Sequence, residues 1–161
     1  MHPRINLQTA SPEALKPMYA IEAYLKNCGV EHSLLLLVKM RASQINGCAY
    51  CLDMHSKDAR AEGETEQRLY TLDAWRETPF FSPRERAALA WTEALTLIAK
   101  THAPDDVFEE LRAHFTEREI ADLTLAIGAI NAWNRFSIGF RVEVGTYTPG
   151  KHAAAMGAAR H

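Results

Sequence analysis

Two cysteines and a histidine stand in this sequence at the spacing that thiol chemistry needs. Cys48 and Cys51 are separated by two residues, and His55 follows four residues after Cys51. If a helix begins at Cys48, both sulfurs lie in its first turn, where unpaired backbone N–H groups and the helix dipole favour a thiolate. His55 then lies on the same face, within hydrogen-bonding reach of the Cys51 sulfur. The segment therefore supplies a nucleophile, a second thiol and a base.

Other uses of a cysteine pair fit these residues less well. A structural zinc site needs four nitrogen or sulfur ligands, so Cys28 or a distant histidine would have to join the three residues here. Attachment of c-type haem needs a histidine directly after the second cysteine, where this chain has Leu52. Cys28 is predicted to be a structural thiol. We therefore expect no metal and no cofactor.

Composition and charge indicate an ordinary globular protein. The chain has 161 residues, of which 47% are hydrophobic and 24% charged, and its net charge is -2. This charge gives no reason to expect a nucleic-acid partner. The longest apolar run, residues 34–38, is too short to span a membrane, and residues 1–6 lack the apolar segment of a signal peptide. Three cysteines do not form a secreted disulfide framework, so we expect a cytoplasmic protein.

The hydrophobic pattern is helical almost throughout the chain. It predicts helices over about residues 11–26, 31–44, 48–60, 65–75, 82–100, 103–114 and 116–141, with capping boxes at Ser82–Glu85 and Thr116–Glu119. Only the short stretch 140–144 alternates as a strand does. No linker divides the chain, so we expect one all-α domain over residues 1–150 and a poorly ordered tail over 151–161.

Residues 43–55 resemble the core motif of the alkylhydroperoxidase D (AhpD)-like proteins, which belong to the carboxymuconolactone decarboxylase-like superfamily. The motif extends through residues 37–42 before it and 57–60 after it. Residues 85–95 and 122–134 are also similar to the short, single-domain branch of these proteins. The resemblance thus spans most of the chain and is most specific around the cysteine pair.

This resemblance implies an all-helical bundle, with the CxxC pair at the start of a core helix, that assembles into a homo-oligomer. Large apolar helical faces on so short a chain indicate the same, with sizes from a dimer to a hexamer. It also implies a thiol-dependent peroxidase that reduces hydroperoxides. Cys51 would attack the peroxide, Cys48 would resolve the sulfenic acid into an intramolecular disulfide, and His55 would belong to the proton relay. An external dithiol donor, in this family a lipoyl-bearing protein in some cases, would restore both thiols.

The sequence departs from the family pattern at one position of the proton relay. The better-studied members have a glutamate twelve residues before the first cysteine, where this chain has Leu36. Glu93 is a candidate to replace it, because Leu89, Ala90 and Leu97 share its face of a predicted helix and a carboxylate on an apolar face can transfer protons. A buried ion pair explains Glu93 equally well.

Two other functions remain open from the sequence. A lactone decarboxylase of the same superfamily would use general acid–base groups and an oxyanion site rather than a dithiol. A redox sensor or metal-binding module without catalysis would also account for the thiols. Asn131, Asn134 and Arg135, near a predicted helix end, could line a pocket, and capping or ion pairing explains them as well.

Overall fold

All regular secondary structure is helical over residues 2–152, the part of the chain that the computed structural model describes. This range contains nine α-helices and one 3-10 helix and no strand. They are α1 (Leu7–Ala10), α2 (Pro12–Leu25), α3 (His32–Asn46), α4 (Ala49–Ala61), α5 (Glu66–Thr71), the 3-10 helix (Leu72–Glu77), α6 (Pro83–Thr96), α7 (Ile98–Thr101), α8 (Asp105–Arg112) and α9 (Glu117–Phe140). The predicted all-α fold is confirmed.

Local sequence signals set several of the helix ends. Both predicted capping boxes form, so the side chains of Ser82 and Thr116 accept backbone hydrogen bonds while Glu85 and Glu119 bond back to the cap residues. Gly47 ends α3 in the left-handed region, with φ of 68°. A residue with a Cβ rarely adopts this conformation, so glycine is suited to the sharp turn between α3 and α4.

Three predicted elements differ from the structure. The helix predicted over residues 82–100 ends at Thr96, and the Thr101 hydroxyl donates a hydrogen bond to the carbonyl of Ala94 near that end. The helix predicted over 65–75 becomes α5 followed by the 3-10 helix. The alternating stretch 140–144 forms no strand, because α9 continues to Phe140 and Arg141 then turns into the left-handed region.

Helix α3 occupies the centre of the fold and packs against α4, α6 and α9. Its run from Leu34 to Val38 is buried on every side, as expected of a helix surrounded by others. One core cluster lies between α3, α6, α8 and α9, and a second lies beside α5 and the 3-10 helix. A smaller third cluster contains Ala42, Cys48, Cys51 and Ile130. The cysteine pair is therefore at the start of a core helix, as predicted.

Within residues 2–152, no helix is long and apolar enough to cross a membrane. Of the tail predicted over 151–161, residues 153–161 lie outside the described part of the chain. His152 lies inside it, and its ring nitrogen Nε2 is 3.1 Å from the hydroxyl of Tyr50.

Candidate active site

The two cysteines lie where α3 turns into α4. Cys48 is the N-cap of α4, with φ of -85° and ψ of 93°, and its sulfur accepts a hydrogen bond from the backbone N–H of Cys51 at 3.4 Å. Both residues are reduced and only 1% exposed. The turn at Gly47 thus places one thiol at the positive end of a helix and the other within its first turn.

Hydrogen bonds make Cys48 the more acidic of the two thiols. The Cys51 thiol and backbone N–H both donate to the Cys48 sulfur, and Ser137 and Asn134 contribute smaller effects. Together these hydrogen bonds outweigh the effect of burial and lower the pKa of Cys48 to about 7. The same hydrogen bond to Cys48, followed by burial, raises the pKa of Cys51. The Cys51 sulfur also lies 3.6 Å from the hydroxyl of Ser137. Cys48 is therefore the more acidic thiol of the reduced pair.

His55 lies one turn after Cys51 and is 6% exposed. Neither of its ring nitrogens has a hydrogen-bond partner, so the bond to the Cys51 sulfur predicted from helical spacing is not formed in this structure. Burial, and then the positive charge of Lys39, lower the pKa of His55 well below its ordinary value. The imidazole is thus neutral, and its lowered pKa makes it a weaker base than a free histidine.

A buried network of polar side chains connects the site to α9. Asn134 donates to the hydroxyl of Ser43 at 3.1 Å and accepts from Asn46 at 2.8 Å. Asn46 also donates to Asn131 at 2.9 Å. Asn134 is 1% exposed, so it is part of the interior rather than of an open pocket. The sequence showed that Asn131 and Asn134 lie near each other, but it gave no signal for Ser43 or for Ser137.

A buried ion pair lies beside this network and was also missed from the sequence. Lys39 Nζ donates to Glu22 Oε2 at 2.5 Å, and Trp133 Nε1 donates to Glu22 Oε1 at 3.0 Å. The one available signal was the position of Lys39, which directly follows the fully buried run from Leu34 to Val38. A lysine in such a helix needs a partner.

Glu93, the predicted candidate for the proton relay, forms its hydrogen bonds with Arg41, Trp75 and Arg76 and not with the cysteines. Its carboxylate accepts hydrogen bonds from Arg41 Nε and Trp75 Nε1, each at 2.9 Å, and from Arg76. Burial raises its pKa, but these hydrogen bonds outweigh burial and lower the pKa below its ordinary value. Glu93 therefore forms the buried ion pair that the alternative interpretation predicted. Leu36, which replaces the family's glutamate, is a core residue.

The C-terminal segment, residues 142–152, crosses the outer face of α4. The hydroxyl of Tyr147 donates to Asp58 at 2.8 Å, and Lys57 Nζ donates to the carbonyl of Tyr147 at 3.1 Å. The ring of Tyr147 stacks on His152, which contacts Tyr50. Tyr50, between the two cysteines, thus contacts this segment through His152.

Cys28 packs against the large core cluster between α3, α6, α8 and α9. Cys48 and Cys51 belong to a different cluster. In the described range, residues 2–152, no group of three histidine, cysteine or acidic side chains is arranged to bind a metal ion.

The burial of His55 predicts a pH dependence of stability. Its folded pKa lies below the unfolded value of about 6.5, so the unfolded chain binds more protons between the two values. The contribution of the neutral His55 side chain to the free energy of unfolding is therefore fully present above pH 6.5. As the pH falls below this value, the contribution decreases by up to about 1.4 kcal/mol per pH unit. Urea unfolding of the wild type and of His55→Gln between pH 5 and 7.5 measures this loss.

The variant should lose this contribution, whereas His2→Gln, at an exposed histidine, should retain it. Equal pH slopes in the wild type and His55→Gln would contradict a buried neutral imidazole.

Comparisons with known proteins agree with this fold and motif. The uncharacterized protein YdfG of Bacillus subtilis is 46% identical over 138 residues, which cover 86% of this chain and 94% of that protein. A crystal structure from Agrobacterium tumefaciens, of a protein of unknown function suggested to be the antioxidant defence protein AhpD, is 51% identical with a TM-score of 0.87 and covers 91% of this chain and 100% of that one. A peroxidase-related protein from a Silicibacter species has the same fold at 24% identity, with a TM-score of 0.75, covering 84% of this chain and 72% of that one.

A family model, described as the carboxymuconolactone decarboxylase family, matches residues 12–94. This range is more than half of the chain and contains α3 and α4 with both cysteines and His55. The resemblance seen in the sequence is thereby confirmed, and the chain belongs to the carboxymuconolactone decarboxylase family.

Proposed function

We propose that this protein is a thiol-dependent peroxidase, which reduces hydroperoxides through a dithiol–disulfide cycle of Cys48 and Cys51. The observation that carries the proposal is the hydrogen-bonded pair of reduced cysteines at the start of α4, in which hydrogen bonds lower the pKa of Cys48. A thiolate is the reactive form of cysteine, and a second sulfur beside it allows a disulfide to form. The suggested role of the Agrobacterium relative in antioxidant defence supports the same activity.

The proposed cycle conserves atoms and electrons. Cys51 loses its proton and attacks the terminal oxygen of the hydroperoxide, which breaks the O–O bond and leaves a sulfenic acid on Cys51 and an alkoxide that takes up a proton. The Cys48 thiolate then attacks the Cys51 sulfur and expels hydroxide, which is protonated to water. The products are an alcohol, water and the disulfide, and His55 is the proposed carrier of the protons.

The order of the two sulfurs combines the family resemblance with the geometry. Attack by Cys51 follows the family pattern, and its raised pKa in the reduced protein opposes this step. The lowered pKa of Cys48 suits the second step. Because the pKa of Cys48 is lowered, a larger fraction of it is thiolate and can attack the sulfenic acid.

An external dithiol is the proposed reductant, and a lipoyl-bearing protein is the candidate donor. The cytoplasm is the proposed location, because thiols are kept reduced there between turnovers. We also propose that the protein is a homo-oligomer. An apolar groove of about 560 Å³ between α2 and α9, lined by Met18, Ile21, Leu125 and Ala129 among others, supports self-association.

Mass mapping of the thiols tests the peroxidase directly. One equivalent of an organic hydroperoxide should convert Cys48 and Cys51 into a disulfide-linked pair and produce one equivalent of alcohol, while Cys28 stays open to alkylation. The Cys28→Ser variant is the matched control and should react in the same way.

Three results would contradict the proposal. The first is a pair that stays reduced after peroxide treatment. The second is stoichiometric zinc in protein purified without chelator. The third is turnover of a carboxymuconolactone that thiol alkylation does not affect, which would favour a decarboxylase.

A further inference from the structure

The thiol pair is closed to solvent in the reduced protein. Cys48 and Cys51 are each 1% exposed, so a hydroperoxide or a dithiol can reach a sulfur atom only if side chains around the pair move. The other two residues of their cluster are fully buried as well. Two partly buried rings, those of Tyr50 and Trp133, pack against this cluster. These rings are therefore the places where the cluster meets the surface.

The two rings are held in different ways. Trp133 Nε1 donates to Glu22 Oε1 at 3.0 Å, and Glu22 is itself fixed by a buried ion pair with Lys39. The hydroxyl of Tyr50 has one hydrogen-bond partner within residues 2–152, the ring nitrogen Nε2 of His152 at 3.1 Å. Tyr50 is therefore the ring that is more easily released, and His152 is the residue that holds it.

His152 is in turn fixed by one aromatic anchor. The ring of Tyr147 stacks on the ring of His152, with their centroids 5.6 Å apart and an angle of 22° between the planes. Tyr147 is 5% exposed, whereas every other residue from 142 to 151 is exposed. A segment with a single buried side chain belongs to the least stable part of a fold. The attachment of this segment therefore depends on Tyr147.

Three hydrogen bonds attach the segment to α4. The Tyr147 hydroxyl donates to Asp58 at 2.8 Å, and Lys57 Nζ donates to the Tyr147 carbonyl at 3.1 Å. The backbone N–H of Gly145 donates to Asp53 at 3.3 Å. All three partners belong to α4, the helix that begins at the cysteine pair. The segment can therefore come away from α4 while the helices of the core stay packed.

We propose that residues 145–152 form a latch on the thiol site, and that release of this latch admits reactants to the two sulfurs. Tyr147 anchors the latch, and His152 holds the ring of Tyr50 against the cysteine cluster. These three residues are positioning residues, which act on access to the thiols. The reactants in question are the hydroperoxide and the dithiol donor, so the catalytic meaning of the latch rests on the proposed peroxidase.

The test is the rate at which iodoacetamide alkylates each cysteine of the folded protein, measured by peptide mass mapping. In Tyr147→Ala, Cys48 and Cys51 should react faster by about 10-fold or more, because opening no longer pulls a buried aromatic ring out of its contacts. Cys28 packs in a different cluster, so its rate in the same sample should not change. Tyr70→Ala, at an exposed tyrosine of α5, is the matched control and should change no rate.

Two results in a folded Tyr147→Ala protein would overturn the inference. One is an equal acceleration of all three cysteines, which would show unfolding of the whole chain instead of a latch. The other is an unchanged rate for the pair. If Tyr147→Ala does not fold, His152→Ala removes the hold on Tyr50 at a half-buried position and should again accelerate the pair. An unchanged rate in that variant would equally overturn the inference.

A double variant separates the latch from a purely structural effect of Tyr147. Tyr50→Ala removes the ring on which the latch acts, so it should accelerate alkylation of the pair at least as much as Tyr147→Ala does. When Tyr50 is already alanine, adding Tyr147→Ala should change the rate by less than about 2-fold, because both substitutions act on the same opening. Multiplication of the two single effects would overturn the path through Tyr50.

Failure of the peroxidase and failure of the latch give different results. If the variants accelerate alkylation of the pair but the wild type consumes no hydroperoxide, the latch stands and the peroxidase fails. If the wild type consumes hydroperoxide but neither Tyr147→Ala nor His152→Ala changes alkylation of the pair, the latch is overturned and the peroxidase stands.

Discussion

Serine at either position of the cysteine pair should reduce the steady-state consumption of hydroperoxide by about 1000-fold or more, since residues that act as one unit lose nearly all activity singly. The disulfide needs both sulfurs, and neither variant can complete the cycle. Peroxide consumption with an excess of a small dithiol measures the loss. Cys28→Ser should retain full activity, because Cys28 packs in a different cluster.

The two serine variants should differ in their first turnover. In Cys48→Ser the hydrogen bond that most raises the pKa of Cys51 is weakened, so Cys51 can still attack and its sulfenic acid should accumulate. A sulfenic-acid reagent such as dimedone should label Cys51 in this variant. In Cys51→Ser no label should form at Cys48. If the reagent labelled Cys48 in Cys51→Ser and did not label Cys51 in Cys48→Ser, Cys48 would be the sulfur that attacks the peroxide.

Asn134→Ala should lower the free energy of unfolding by about 2–3 kcal/mol, because it leaves buried partners of the asparagine without their hydrogen bonds. Asn134 is 1% exposed and bonds both Ser43 and Asn46. The same substitution removes a hydrogen bond that lowers the pKa of Cys48, so the thiolate fraction at pH 7 should fall. Urea unfolding and the pH dependence of thiol alkylation measure the two effects.

Asn131→Ala is the matched control for this prediction. Asn131 is only partly buried, and its replacement leaves the hydrogen bond between Asn134 and Asn46 intact. Asn131→Ala should therefore lower the free energy of unfolding by less than half as much as Asn134→Ala. Equal costs for the two variants would show that burial of Asn134 does not determine the effect.

Features set by neighbouring residues in the chain were predictable from the sequence. The capping boxes at Ser82 and Thr116, the turn at Gly47 and the placement of Cys48 and Cys51 at a helix start all depend on residues a few positions apart. The fold class followed from the same periodicity. Helix α6 was predicted too long because nothing near Leu97 in the sequence signals its end.

Features set by contacts between distant residues were not predictable. Glu93 lies on an apolar helix face, as expected, but its partner Arg41 comes from another helix and fixes it in an ion pair. Glu22 and Lys39 meet across 17 positions of sequence, and neither is marked by any motif. The missing partner of His55 likewise depends on how α3 and the C-terminal segment surround α4.

The N-cap role of Cys48 also bears on the reduction potential of the pair. In the reduced protein the Cys48 thiolate accepts the Cys51 N–H and faces the positive end of α4. Oxidation removes that negative charge, so the start of the helix loses a favourable interaction. Whatever stabilises the dithiol relative to the disulfide raises the reduction potential and makes the disulfide a stronger oxidant. Helix α4 therefore favours the return of electrons from a dithiol donor to the oxidised protein.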